Sequence, residues 1–475
     1  MKQAKIAVVT LGHYIYFQQF ETLREELMQK AGQFIELIDP DTCEIYDAGF
    51  VDCVEDSFDA VRRLKREDAD LLFVILSTYV PSAVCAQFAR YLDLPQVLVG
   101  IQPLEHLDYS HTTTYMQLAN DDVCAMPEIA GVYERLGRAI PPCIVASSSQ
   151  TDRIRREVSE WVSAANALAG FKYRTVGYLG HTYEGMYDMH TDPTAFSAAF
   201  GAHVKMLEMC ELARLSEAVT DEEIEAQIRE IVDTFEICDP SIDPLTDFVK
   251  KEDLAYSARQ AVALKRLVAD NKLTALAYYY KSEPQNPYEQ LAANLIIGNT
   301  LLTSAGIPLA GEADLKTAAA MLIMKNVGGG GSFAEIHPFD VCDDVVLIGH
   351  DGPHNIAIAE GKPRLRKLKK YHGKSGSGIG VEFSLKAGPV TLLSINVTRD
   401  GKFRMIAAEG TSIAGEIPQT GNTNTRVSFG GDVCDFLARW CEAGPTHHLA
   451  LGVGHHISTL RKLARISGIE LVEVR

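Results

Sequence analysis

The chain of 475 residues is short of several things, and each shortage removes a class of function. No two of its ten cysteines form a C-x-x-C pair. A thiolate zinc site usually shows that spacing and a disulfide framework needs an oxidising compartment, so most of the cysteines are expected to be small buried hydrophobes. No apolar run approaches the ~18 residues that span a bilayer. Met1-Lys2-Gln3-Ala4-Lys5 leads straight into a strand-like run without a basic-then-apolar leader, which makes a cytoplasmic protein the expectation. Positive charge is scarce as well: 45 Lys and Arg against 63 Asp and Glu leave a formal net charge of -18. Nucleic acid and anionic membrane surfaces both select a basic footprint, so neither is an expected partner. The first strand-to-helix turn, L-G-H-Y-I-Y-F, lacks G-x-G-x-x-G, without which a pyrophosphate cannot come close to the backbone; a dinucleotide role is not expected. There is no internal repeat, low-complexity tract or P-loop.

What is there is a long alternation of two periods. The length calls for two to four domains. Strand-like runs at 5–10, 34–38, 71–77, 96–100 and 143–146 are separated by helical patterns at about 18–30, 56–67, 81–92, 129–137 and 151–169. Such alternation builds βαβ units on a parallel sheet, and the expected class is α/β with a flavodoxin-like first domain. From Tyr173 a second α/β unit follows, with helices near 220–235, 253–270 and 287–305 and a strand at 274–280. After His372 the texture becomes antiparallel: strand-like runs at 378–385, 390–398 and 402–408, the last two joined by the hairpin turn Arg399-Asp400-Gly401. The expected division is a flavodoxin-like domain at 1–172, a central α/β domain at 173–327 and a C-terminal antiparallel β-barrel-like domain at 328–475.

Chemistry concentrates late in the chain. Eight of the fourteen histidines fall in its last third. Glu312 stands between a Pro/Gly loop and a run of helix formers, where a helix N-terminus favours a carboxylate; Asp314 is the better candidate for simple capping. Glu335, in S-F-A-E-I-H-P-F, has apolar neighbours on both sides and needs a partner, since an unpaired buried charge is costly. His350 leaves the end of the apolar run V-V-L-I-G. Near the C-terminus, Gly454-His455-His456 follows another apolar strand, and in extended chain only one of that histidine pair faces a given side. Two carboxylates and two imidazoles without a thiolate suit Mn2+, Mg2+ or Co2+ better than structural zinc, leaving two positions for neighbouring oxygens of a polyol or sugar. In the first loop His13, Tyr14 and Tyr16 offer polar-tipped rings at the carboxyl end of a strand, equally consistent with loop packing. His181, His337, His354 and His455 are further candidates for contact with substrate.

The order G-E-x-D-x-K-T-A-A, S-F-x-E, G-H about fifteen residues later and G-x-x-H-H near the end resembles the L-arabinose isomerase family, and more loosely the L-fucose isomerases. The resemblance runs over the whole chain. It implies that Glu312, Glu335, His350 and His456 bind a catalytic Mn2+, that the two glutamates share the proton transfers, and that the enzyme is a homo-oligomer, hexamer or trimer, with sites completed by a neighbouring subunit. Where the family carries S-F-M-E-D-Y-T-Y-H this chain has S-F-A-E-I-H-P-F-D, and where it carries G-S-H-M-L-E-V this chain has I-G-H-D-G-P-H. A glutamine usual in the first loop is replaced near Tyr14, and a histidine usual in a later loop aligns near Cys124. The metal set is kept while the pocket changes, so a free sugar other than L-arabinose is the expected substrate of an aldose–ketose isomerase. The alternatives are another metal-assisted sugar reaction (lyase, epimerase or hydrolase) and a non-catalytic sugar-binding protein, which would have no need of the four ligands.

Overall fold

The computed structural model describes residues 4–239, 246–283, 286–351, 353–368, 370–371, 374–375, 378–418, 420 and 424–475; His372, where the texture changes, lies outside them. The chain forms two compact units, Met1–Ala169 and Gly170–Arg475. Among the described residues no helix is long and apolar enough to cross a membrane.

In the first unit five parallel strands lie in the order Glu44–Val51, Lys5–Leu11, Leu71–Leu76, Gln96–Gln102 and Cys143–Ser147, the flavodoxin-like 2-1-3-4-5 arrangement. Leu71–Leu76 is buried along its whole length, as a strand with helices over both faces must be. Residues 34–38, read above as the second strand, instead close the helix Leu23–Ile35. Its buried side chains Leu23, Leu27, Lys30, Ala31 and Phe34 recur at three and four, so Phe34 completes a helical stripe. The real second strand, Glu44–Val51, is an edge strand with only Ala48 and Val51 buried, and it lacks the apolar run that marks central strands. The segment read as a first loop is also helical in part: His13 precedes a short helix, Tyr14–Gln19.

One buried ion pair pins this unit. Lys30 Nζ reaches Asp122 Oδ1 at 2.5 Å and the carbonyl oxygens of Ser77 at 2.7 Å and Ala119 at 3.3 Å. Asp122 is fully buried, so deleting its counter-charge strands a carboxylate. Lys30→Met is expected to destabilise the unit by roughly 3–5 kcal/mol, read as a lower urea midpoint at unchanged slope; no change in midpoint would refute a stabilising role for the pair.

The second unit holds a four-stranded parallel sheet in the order Leu309–Ala310, Leu273–Tyr279, Thr175–Gly180 and His203–Leu207. The expected helix at 287–305 is two, Pro287–Ala293 and Ile296–Ser304, parted at Asn294. The two-residue strand Leu309–Ala310 delivers the chain to a single 3-10 turn, Gly311–Ala313, after which Asp314 caps the helix Leu315–Asn326. That helix is buried from Leu315 to Met324, apolar on nearly every side because it packs between Leu273–Tyr279 and two strands of a β-barrel, Gly388–Val397 and His448–Val453.

The barrel is closed by six antiparallel strands. Gly388–Val397 is followed by His448–Val453, Ser332–Asp340, Val345–Gly349, Thr425–Ser428 and Phe403–Ile413, which pairs back to Gly388–Val397. Glu470–Glu473 adds in parallel outside Phe403–Ile413. The hairpin at Arg399-Asp400-Gly401 is present, with Gly401 at φ 76°. Ser332–Asp340 runs through Pro338; its register to Val345–Gly349 shifts between Ile336 and Phe339, an irregularity of the kind that accommodates a proline in a sheet.

Candidate active site

Strand register brings the first side chains together. Glu335 lies opposite Gly349 on one neighbouring strand and opposite His448 on the other. Directly opposed residues share a face, so the Glu335 and His448 side chains rise side by side, and His350 leaves its strand one residue beyond Gly349. Donor atoms of Glu335, His350 and His448 all lie within 4.8 Å of one another. Phe333, two residues before Glu335 and fully buried, sets its ring centroid 4.6 Å from that of His350 and 4.4 Å from that of His448, bracing both imidazoles.

Glu312 approaches from the other side, out of the parallel sheet. It and Ala313 both adopt left-handed backbone, φ 53° and 54°. Such conformations cost L-residues of order 1–3 kcal/mol each and collect at functional sites. The turn carries Glu312 Oε2 to 3.5 Å from His448 Nε2. Both atoms are buried and neither has a hydrogen-bond partner.

The supports behind these groups are charged. Asp314 Oδ2 lies 3.2 Å from His448 Nδ1 and accepts the Thr317 hydroxyl at 2.8 Å; Asp314 Oδ1 accepts the backbone N–H groups of Lys316 and Thr317. The fully buried Lys316 places Nζ 3.3 Å from Asp314 Oδ1 and donates to the Met189 carbonyl (2.9 Å) and the Thr191 hydroxyl (3.2 Å). Burial opposes the Asp314 anion, yet the Lys316 ammonium and the His448 hydrogen bond outweigh it and hold the carboxyl below its ordinary range. With Asp314 accepting the hydrogen bond of Nδ1–H, His448 turns the lone pair of Nε2 into the site, the arrangement by which a carboxylate orients a ligating histidine. His350 is held the same way: its Nδ1 meets the Asp351 carbonyl at 2.6 Å and carboxylate at 3.1 Å. Burial lowers its proton affinity, but Asp351, with Glu335 and Glu312 nearby, carries it up to about 9. Negative charge that draws a proton so strongly also draws a divalent cation, which binds by displacing that proton.

His447 adds one more imidazole. Asp188 Oδ2 accepts both its backbone N–H (3.0 Å) and its ring Nδ1–H (2.7 Å). Burial works against the Asp188 anion, but these hydrogen bonds and the imidazole charge bring its carboxyl down to about 2. Donor atoms of Glu312, His447 and His448 again lie within 4.8 Å of one another. Two overlapping triads thus share His448, with carboxylate and imidazole donors, no thiolate, and three buried atoms lacking hydrogen bonds, Glu312 Oε2, His447 Nε2 and His448 Nε2. That set fits a hard or borderline divalent ion.

Residues 188–330 match the L-arabinose isomerase central domain and residues 330–470 the L-arabinose isomerase C-terminal domain. Together the matches cover more than half of the chain. The L-arabinose isomerase family claims this chain as a divergent member. L-arabinose isomerase 1 of Bacillus licheniformis is 23% identical over 88% of this chain and 84% of its own length. The enzyme of Cellvibrio japonicus is 23% identical over 85% and 80%, and that of Shewanella baltica 26% identical over 69% and 65%. The chain is accordingly an enzyme of the sugar-isomerase class, an intramolecular oxidoreductase.

For this divergent isomerase the sequence-derived site needs one correction. Glu312, Glu335 and His350 come together, but His456 does not join them. Val345–Gly349 and His448–Val453 run in the same direction on either side of Ser332–Asp340, and at the level of Glu335 the first is ending while the second is beginning. The histidine that meets Glu335 therefore starts its strand. Val453 lies about 17 Å further along at ~3.4 Å per residue, and His456 Nε2 is bound there to the Val453 carbonyl at 2.8 Å. His448 occupies the place assigned to His456.

The outer candidates separate too. His337 Nε2 is 3.7 Å from Glu335 Oε1. His354 is buried next to His350; burial first, then the charge of His350, lower its proton affinity to about 3, and Asn424 lies 3.2 Å from its Nδ1. His455 Nε2 meets the Gly410 carbonyl at 3.2 Å. Both ring nitrogens of His181 meet backbone carbonyls, of Thr182 and Lys281, which ties down its own loop. Tyr14 and Tyr16 belong to the first unit, where they make edge contacts with His13, itself in edge contact with Tyr79. Asp188, His447 and His448 were missed. The one available signal was T-H-H immediately ahead of the apolar strand L-A-L-G-V.

Proposed function

We propose that this chain is a metal-dependent isomerase of a free sugar, interconverting aldose and ketose by proton transfer between C1 and C2 through an enediol. Glu312, Glu335, His350 and His448 would hold the divalent ion, Mn2+ before Mg2+ or Co2+. One observation carries the proposal: the unpartnered Glu312 Oε2 and His448 Nε2 face each other at 3.5 Å beside Glu335 and His350, in a member of an isomerase family. These two carboxylates and two imidazoles would hold such an ion with room beside it for neighbouring oxygens of a sugar. When bound, the ion supplies Lewis acidity toward those oxygens and offsets the charge that develops on them.

The chain's own groups move the protons. One of Glu312 and Glu335 removes the proton on C2 and returns it to C1, while the other carries the hydroxyl proton from O2 to O1, so that atoms and charge balance over the cycle. Phe333 fixes the imidazoles and keeps water from their far faces. The sugar is one other than L-arabinose, in keeping with the replacement of S-F-M-E-D-Y by S-F-A-E-I-H, which puts His337 beside Glu335. A cytoplasmic homo-oligomer, trimer or hexamer with sites completed by a neighbouring subunit, belongs to the same proposal, on the strength of the family resemblance.

The test is to incubate the purified protein with Mn2+ and a panel of free aldoses and ketoses, rare and 6-deoxy sugars included, in D2O. The expected proton spectrum shows one sugar converted to its isomer with no smaller product, and with deuterium entering at C1 or C2. Deuterium in the product would support the enediol route, failure to convert any sugar of the panel would overturn the isomerase reading, and release of a smaller product would identify a lyase or hydrolase.

A further inference from the structure

The donors described above all belong to Gly170–Arg475. We infer that the first unit, Met1–Ala169, carries a separate small-molecule site whose ligand is a zwitterion with a short aliphatic body, as an α-amino acid with an apolar side chain is. The site is a cavity of about 390 Å3 between the helix Thr151–Ala169 and the loop that joins the helix Leu23–Ile35 to the edge strand Glu44–Val51. Pockets for small ligands commonly fall between about 300 and 1,000 Å3. Arg155, Val158, Ser159 and Val162 form the helical wall; spaced at three and four, they share one face. Val158 and Val162 are buried and make the base, while Arg155 and Ser159 are exposed at the rim. The loop supplies the opposite wall from Glu36, Leu37, Asp39, Pro40 and Thr42.

The loop is braced at a fixed height over the helix and does not close onto it. Asn166, one turn beyond Val162, accepts the Ala4 N–H with Oδ1 (2.8 Å) and donates with Nδ2 to the Thr42 carbonyl (3.0 Å). The Thr42 hydroxyl donates to the Asp39 carbonyl at 2.8 Å, and Asp39 Oδ1 accepts the Asp41 N–H at 3.0 Å. The wall is therefore formed before a ligand arrives, which spares the binding step an ordering cost. Its charges choose the ligand. Glu36 and Asp39 put two carboxylates on the loop wall, and the helical wall has Arg155, whose ion pair with Asp152 is loose, at 3.9 Å with both side chains largely exposed. An ammonium suits the first wall, a carboxylate the second, and an aliphatic chain covers Leu37, Val158 and Val162 between them. Other classes fit less well. None of the lining residues is aromatic, so a sugar ring has no face to stack on, and a phosphate would meet two carboxylates for one guanidinium.

The test is calorimetry on the full chain with L-leucine, L-isoleucine, L-valine and L-methionine as probes. Beside them run 4-methylpentanoate, which is leucine without its ammonium, and 3-methylbutylamine, which is leucine without its carboxylate. At least one of the four amino acids is expected to bind one to one with a Kd of about 1 mM or tighter, and to raise the Tm as its concentration rises. Both truncated probes should bind about tenfold more weakly or worse, the worth of one charge-assisted hydrogen bond. Arg155→Gln and Glu36→Gln, at exposed positions, should each weaken the tightest amino acid by about tenfold or more. Ser159→Trp, which fills the cavity from its exposed rim, should remove binding. Failure of all four amino acids to bind at about 1 mM or tighter overturns the inference. Binding that Arg155→Gln, Glu36→Gln and Ser159→Trp all leave unchanged also overturns it, by placing the ligand elsewhere. A truncated probe that binds as tightly as its parent amino acid would refute the zwitterion. The isomerase proposal is read separately, from sugar turnover, and stands or falls without this site.

Discussion

His448→Asn is expected to abolish tight Mn2+ binding, and His456→Asn to leave it intact. The expected loss for His448 exceeds about 100-fold, because removing a ligand costs more than the 10–100-fold typical of removing a group behind one. His448 is shared by both donor triads, so no other residue can replace it without moving the strand. Asp314→Ala should fall within that 10–100-fold range: it leaves His448 free to rotate and to place its proton on the wrong nitrogen. Calorimetric titration of the metal-stripped protein measures all three. A His456 variant that loses the metal while the His448 variant keeps it would show that the strand His448–Val453 does not begin where its register to Glu335 places it.

Glu335→Gln should lower kcat by about a thousandfold or more at saturating Mn2+, within the span of general acid–base catalysis. Glutamine preserves the shape of the side chain and one oxygen for the ion, and removes only the capacity to take up and return a proton. Mn2+ binding should therefore weaken yet remain saturable, and deuterium exchange into the sugar should fall in step with turnover. Glu312→Gln should behave alike, since the two carboxylates divide one cycle. A Glu335→Gln protein that binds metal and retains near-normal turnover would remove Glu335 from the proton path.

Much of this was legible in the sequence, for physical reasons that also explain what was not. Leu71–Leu76 and Gln96–Gln102 announced themselves because a strand covered on both faces must be apolar throughout. Glu44–Val51, half exposed at a sheet edge, carries no such mark, and residues 34–38 mimicked one because Phe34 and its apolar neighbours end a helix. Glu312, Glu335 and His350 were visible as polar residues bordering apolar or glycine-rich segments. His448 was not, because choosing between two His-His pairs requires the register between strands more than a hundred residues apart, and no local pattern encodes which end of a strand lies level with Glu335. His447 was hidden twice over: alternation along a strand turns it away from its neighbour, and only Asp188, 259 residues distant, turns it back.

The seam between the two family matches falls at residue 330, between Glu312 and Glu335. One carboxylate hangs from the parallel sheet and the other three proposed donors from the barrel, so a cut at that seam would part Glu312 from Glu335, His350 and His448. What homology counts as two modules meets in one set of carboxylates and imidazoles, and neither part alone carries all four.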